Sequence, residues 1–285
     1  MDWLLAPLSY EFMQRGMAAS IMVGILCALV GCYVVLRSMA FLGDAMAHSI
    51  LPGVAVAYLL KGNLMAGALV SAVSVALGIS LLSRDGTIKE DTAIGILFAA
   101  ALSLGIALIS STKTYARDLT HILFGNVLGV SKGDLWLTAC VGLAVVIVIA
   151  LLYKEFLVVS FDPILAATLR LPTNLLRTLM LILIALTIVV SMQTVGVGLV
   201  ASMLVTPAAT AFLIARRLPA MMAISSVVGA FSAIIGLYLS FYINIASGAA
   251  VVLVATSIFI MVFLFAPHKG VLWRQMRKMR ALLKG

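Results

Sequence analysis

The sequence predicts an all-α fold, a polytopic membrane bundle of eight or nine transmembrane helices with one short helix outside them. Three observations predict it. Apolar residues make up 64% of the chain and charged residues 10%, against about 45–50% and about 25% in soluble domains. Long windows without a charge recur along the chain. The basic residues crowd into alternate segments between those windows. No soluble interior hides this much apolar surface, so lipid is the solvent. A single transmembrane domain over residues 1–285 is the simplest organisation.

A helical span needs roughly 20 mainly apolar residues. The windows, in order, are Gly16–Leu36, Ala40–Leu60, Gly62–Ser83, Thr92–Thr112 and Leu135–Tyr153, followed by the long stretches Thr178–Ala215 and Leu218–Ala266. The second window is unusual in holding Asp44 and His48. Thr178–Ala215 has 38 residues, about 57 Å if fully helical, whereas the hydrocarbon core is about 30 Å thick. The stretch therefore reads as two passes broken near Val195-Gly196-Val197-Gly198, and Leu218–Ala266 breaks likewise near Asn244-Ile245-Ala246-Ser247-Gly248. Nine spans result, or eight if one segment is re-entrant or one helix stays long and tilted.

Charge orients the bundle. Six of the 19 Lys and Arg lie in the tail, at Lys269, Arg274, Arg277, Lys278, Arg280 and Lys284. A basic segment that directly follows a span belongs beside anionic lipid on the cytoplasmic face, so the tail 268–285 predicts no nucleic-acid partner. Nine spans then place 14 basic residues inside and 5 outside, as the positive-inside rule asks. Eight spans give 13 and 6, so segment length, rather than charge, favours nine. Met1 to Arg15 shows no basic run before an apolar core and no small-residue cleavage site, unlike a cleaved signal peptide. Cys27, Cys32 and Cys140 form no C-x-x-C pair and read as small apolar side chains within helices.

Certain chemistries are missing from the sequence. It has no G-x-x-x-x-G-K-[ST], no H-E-x-x-H and no G-x-S-x-G, so nucleotide cradling by a P-loop, zincin chemistry and a hydrolase elbow are not encoded. Any ATP hydrolysis linked to this chain belongs to another one.

Three motifs carry chemistry. In Gly43-Asp44-Ala45-Met46-Ala47-His48-Ser49-Ile50-Leu51-Pro52-Gly53, the acid and the imidazole lie four apart and share a helix face. An ionisable group at membrane depth costs about 2.5–3.5 kcal/mol on insertion scales and faces a partner or an aqueous path. Carboxylate with imidazole suits manganese, ferrous iron or zinc; the plainer alternative is that the two side chains only pair with each other. Pro52 lacks the N–H that would bond the His48 carbonyl, which predicts a bend there.

The second motif runs from Ser160-Phe161-Asp162-Pro163 to Arg170-Leu171-Pro172. Asp162 is a good N-cap, Pro163 suits the first helical position, Arg170 complements the C-terminal dipole and Pro172 stops the helix. A two-turn helix between spans is predicted, and lying on the membrane surface is its plainer use. The third motif holds Asp118 and His121, three apart, which could bind metal or form a secondary polar lining, although such residues are more often solvated or cap helices. Gln193 and Asn244, with Thr206, read as uncharged polar groups inside spans, suited to interhelical hydrogen bonds or to lining a path.

On these residues the chain resembles the manganese/zinc/iron permease family of ABC importers. The resemblance rests on Phe41-Leu42-Gly43-Asp44 through His48 to Pro52-Gly53, Asp91-Thr92-Ala93-Ile94-Gly95-Ile96, His121-Ile122-Leu123-Phe124-Gly125-Asn126, Ser160-Phe161-Asp162, Gln193-Thr194-Val195-Gly196 and Met203 to Ala211. It implies a type II-like importer fold in the bacterial cytoplasmic (inner) membrane. The implied partners are two cytoplasmic ATPase subunits, a second permease subunit, identical or paralogous, and an external metal-binding protein. Asp44 and His48 match the family's metal-coordinating pair, and the transported divalent metal is cargo, with no permanently bound cofactor. The segment at about 162–172, with Asp162, Pro163, Ile164, Leu165, Ala166 and Arg170, matches the helix that docks on the ATPase. The family usually has Gly where this chain has Arg170. A secondary transporter or channel acting alone is the alternative, followed by a membrane enzyme or scaffold subunit.

Overall fold

The computed structural model describes residues 7–84, 86–110 and 129–266. Among them all regular structure is helical, and nine segments are long and apolar enough to cross a membrane. A 3-10 turn at Pro7–Ser9 leads into α1 (Glu11–Leu36). The second crossing is divided into α2 (Leu42–Ser49) and α3 (Leu51–Leu59). α4 (Leu64–Leu82), α5 (Glu90–Ser110) and α6 (Lys132–Leu151) follow. Two short helices come next, α7 (Tyr153–Phe161) and α8 (Pro163–Thr168). The last four crossings are α9 (Thr173–Val195), α10 (Val197–Ile214), α11 (Leu218–Ile243) and α12 (Ser247–Phe265).

Both long apolar stretches divide where length and glycine demanded. Gly196, at φ 89°, separates α9 from α10. Asn244, left-handed at φ 55°, ends α11, and Asn tolerates that region better than most residues. The short helix α7 was not anticipated; it continues from α6 after a break at Leu152 and seats Phe156 and Val159 in the core.

Contacts at the helix ends fix the alternation of direction. Arg37 after α1, Ser83 after α4, Glu90 opening α5 and Arg177 in α9 meet at one end. Glu11 of α1 approaches Lys132 of α6 at 3.8 Å at the other. The first end also holds α8 and Arg216-Arg217, and the positive-inside count assigns it to the cytoplasm. The tail 268–285 lies outside the described residues.

The interior is built on α1, α9 and α10, whose facing side chains, such as Cys27, Ile184 and Leu204, are fully buried. Apolar helices in lipid gain nothing from hydrophobic sequestration, so close approach and dispersion hold them. Gly31 is the tightest case, since a Cβ there would sit 1.7 Å from the Leu204 carbonyl oxygen. Some polar groups of the interior pair between helices: Cys27 with the Ser191 hydroxyl at 3.7 Å and Cys32 with Ser225 at 3.2 Å. Cys140 is exposed.

Candidate functional site

α2 presents two faces. Leu42, Gly43, Ala45, Met46, Ala47 and Ser49 are buried, while Asp44 and His48 open outward from the bundle with side-chain exposures of 49% and 32%. Asp44 lies in the first turn of α2 and His48 in the last. Nε2 of His48 is 3.6 Å from Oδ1 of Asp44. That is too long for a hydrogen bond, so the two donor atoms sit side by side with their lone pairs uncommitted to each other. Phe98 of α5 walls the site, its ring 6.2 Å from the imidazole and 5.5 Å, edge-on, from Phe41.

The helix is interrupted immediately after the pair, close to Pro52. α2 stops at Ser49, Ile50 keeps near-helical angles, and α3 restarts at Leu51 with Pro52 in its first turn. A neighbour bonds to the backbone at the break: the Ser71 hydroxyl of α4 donates to the Ser49 carbonyl at 2.7 Å. Glycines clamp the break on two sides. A Cβ on Gly53 would lie 2.0 Å from the Gly67 carbonyl oxygen, and one on Gly67 would lie 2.3 Å from that of Gly53. On the other side Gly105 of α5 lies against Leu51 and Pro52. The break is thus a rigid, packed feature.

No group of three or more His, Cys, Asp or Glu side chains that could hold a metal is found among the described residues. Among the described residues, Asp44 and His48 are the His and Asp side chains at this place. Asp118 and His121 lie outside the described residues. Gln193 and Asn244 are not deep in spans as expected. Gln193, near the end of α9, is exposed and donates to Oδ1 of Asp134 at 3.5 Å. Asn244 occupies the exposed turn between α11 and α12.

At the end of the bundle that holds Arg37 and Arg177, Oδ1 of Asp162 caps α8 by accepting from the N–H groups of Ile164 and Leu165 at 3.0 and 2.9 Å. Pro163 takes the first helical position. The helix is shorter than predicted, because it ends at Thr168 and Arg170 lies beyond it. Arg170 is left-handed at φ 55°, and its N–H bonds the Ala167 carbonyl while that of Leu171 bonds Ala166. This is the turn in which glycine is preferred. Ile164, Leu165 and Leu169 are exposed, whereas Ala166 is fully buried and seats the helix on the bundle.

Sequence reasoning missed one cluster. The Glu90 carboxylate accepts from both Arg37 and Arg177, and Arg177 also donates to the Ser83 carbonyl. Each charge flanks a different span, so each reads in the sequence as a membrane anchor or a helix-end charge. Only the fold joins them.

Comparison with known proteins agrees with this architecture. The family model of the ABC 3 transport family matches residues 9–266. The chain is 46% identical over 274 residues to the manganese transport system membrane protein MntC of Halalkalibacterium halodurans, covering 96% of this chain and 94% of that protein. It is 40% identical to the manganese import system permease protein ScaB of Streptococcus gordonii, with 94% and 96% covered. It is 38% identical to a probable iron transport system membrane protein of Haemophilus influenzae, with 93% and 97% covered. Among solved structures, PsaBC from Streptococcus pneumoniae in complex with Fab superposes with a TM-score of 0.82 at 39% identity, over 94% of this chain and 96% of that one. With nine crossings, an acid–imidazole pair on the second and a family match over nearly its whole length, the chain belongs to the ABC 3 transport family.

Proposed function

We propose that this chain is the membrane-spanning permease subunit of an ATP-driven importer of divalent transition metal, with manganese(II) as its principal cargo. The observation that carries this is the outward-facing pair of Asp44 and His48 on an otherwise buried helix. A carboxylate and a neutral imidazole suit manganese, iron or zinc. The names of the relatives, mostly manganese transport proteins, favour manganese. Two donors are half of a site. A second permease chain facing this surface supplies the other half, so that two carboxylates offset the charge of one divalent ion and two imidazoles complete its nitrogen ligands.

The remaining parts follow from chemistry the chain does not encode. With no P-loop, ATP is hydrolysed by a cytoplasmic partner, and the capped helix α8 with Ile164, Leu165 and Leu169 is its contact. Metal reaches the opposite end from an external binding protein. The membrane is the bacterial cytoplasmic membrane.

The test is Mn²⁺ uptake by the complete transporter in proteoliposomes. The double variant Asp44→Asn, His48→Ala is expected to lose uptake by about tenfold or more, the scale of single lost metal-site interactions, while ATPase association persists. Wild-type uptake in that variant refutes the metal-path assignment. Uphill uptake by the permease without an ATPase refutes the ATP-driven reading.

A further inference from the structure

Glu90 opens α5 at the cytoplasmic end, and its carboxylate gathers side chains from two other helices. Nη2 of Arg37 donates to Oε1 and Oε2 at 2.7 and 2.8 Å. Nε of Arg177 donates to Oε1, and its Nη1 donates to the Ser83 carbonyl at 3.0 Å. The ends of α1, α4, α5 and α9 thus meet through one carboxylate. Side-chain exposures of 11% for Arg37, 14% for Glu90 and 19% for Arg177 keep water largely away, which strengthens these charge-assisted bonds. Among the described residues no other carboxylate pairs with either arginine.

What each arginine is attached to gives the cluster its meaning. Arg37 leads into a tight turn, with Ser38 left-handed at φ 58°. In that turn Ser38 and Met39 bond back to the Val35 and Val34 carbonyls, and Leu42 bonds to Met39. Met39 is buried, and α2 begins at Leu42. No slack separates Arg37 from the helix bearing Asp44 and His48. On the other side, α8 passes into α9 through a turn held at every step: Leu171 to Ala166, Thr173 to Leu171 and Leu176 to Pro172. Arg177 follows one turn later.

We propose that Glu90 is a positioning residue that transmits movement of α8 to the metal-bearing helix α2, and so couples ATP hydrolysis to metal passage. The proposal rests on the reading of α8 as the ATPase contact. When α8 is displaced, α9 and Arg177 move with it. The shared carboxylate must then follow Arg177 or release it, and either change alters the hold on Arg37 and hence the seating of α2. A carboxylate suits this task because two guanidinium groups can bind its two oxygens at once.

The experiment measures Mn²⁺ transported per ATP hydrolysed by the complete transporter in proteoliposomes, together with basal hydrolysis and Mn²⁺ binding by equilibrium dialysis. Glu90→Gln removes the charge. Glu90→Asp keeps it but is one methylene short of serving both arginines. Transport per ATP is expected to fall about fivefold or more in Glu90→Gln, the lower range of coupling between sites. A fall of at least about twofold is expected in Glu90→Asp, with basal hydrolysis unchanged in both. A wild-type ratio in Glu90→Asp overturns the proposal. So does failure of Glu90→Asp to assemble, or a parallel fall in ratio, hydrolysis and binding, because Glu90 is then a structural ion pair only. Leu165→Asp, run beside them, separates the two readings. Wild-type hydrolysis in Leu165→Asp sinks the α8 contact itself, whereas lost hydrolysis there with a normal ratio in the Glu90 variants sinks only the transmission.

Discussion

Replacing Gly53 by Ala probes the packed break beside the proposed metal pair, Asp44 and His48, without touching either side chain. The new Cβ would lie 2.0 Å from the Gly67 carbonyl oxygen, 2.7 Å from the Ser71 Cβ and 2.8 Å from the Gly67 carbonyl carbon. Real Cβ contacts essentially never fall under 3.0 Å, so α3 and α4 must separate by about 1 Å. The nearest obstacle is backbone, so no side-chain rotation relieves it. Overpacking of this kind costs about 1–3 kcal/mol. The same separation lengthens the Ser71–Ser49 hydrogen bond, now 2.7 Å, and moves the end of α2 where His48 sits. A metal site tolerates displacements of only about 0.5 Å. Mn²⁺ uptake in proteoliposomes is therefore expected to fall about tenfold, corresponding to roughly 1.4 kcal/mol of misplaced site. The thermal midpoint of the purified permease is expected to fall too. Gly67→Ala should reproduce both effects, because the clash is reciprocal. Wild-type uptake with an unchanged midpoint in Gly53→Ala refutes the view that the clamped break sets the site.

Two further outcomes are expected elsewhere. Leu165→Asp places a charge on the exposed apolar face of α8, and metal-stimulated ATP hydrolysis in the assembled transporter should disappear while the permease still inserts; unchanged hydrolysis contradicts the ATPase contact. Arg170→Gly relieves a left-handed backbone at φ 55°, and chemical denaturation should show a gain of about 1 kcal/mol, set by the steric cost of that region for a side chain; a loss of stability means that the Arg170 side chain contributes more than its backbone costs.

Much of this protein is legible in one dimension. Composition dictates lipid as solvent, and the 30 Å scale of a bilayer divides apolar stretches into crossings wherever glycine or a left-handed turn permits, as at Gly196 and Asn244. Local backbone chemistry is legible too. Asp162 caps α8 and the second crossing breaks close to Pro52 because capping and proline effects act within four residues. The i, i+4 spacing that puts Asp44 and His48 on one face is likewise local. The shortening of α8 was harder to see, since Arg170 is a good residue for a helix end and a poor one for the left-handed turn it occupies.

Depth and partnership needed the tertiary structure. Gln193 and Asn244 read as buried polar groups, because hydropathy windows do not say where along a crossing a residue sits; packing put both at exposed helix ends. Arg37, Glu90 and Arg177 are scattered flank charges in the sequence and one ion cluster in the fold. Gly53 and Gly67 look like two of many small residues until α3 and α4 touch. The sequence by itself determined the solvent, the crossings and the shared face of Asp44 and His48, since these follow from transfer energies and neighbours a few residues apart. The tertiary structure decided which charges pair, which glycines touch and which way the donors face, because those depend on contacts between residues far apart in the chain.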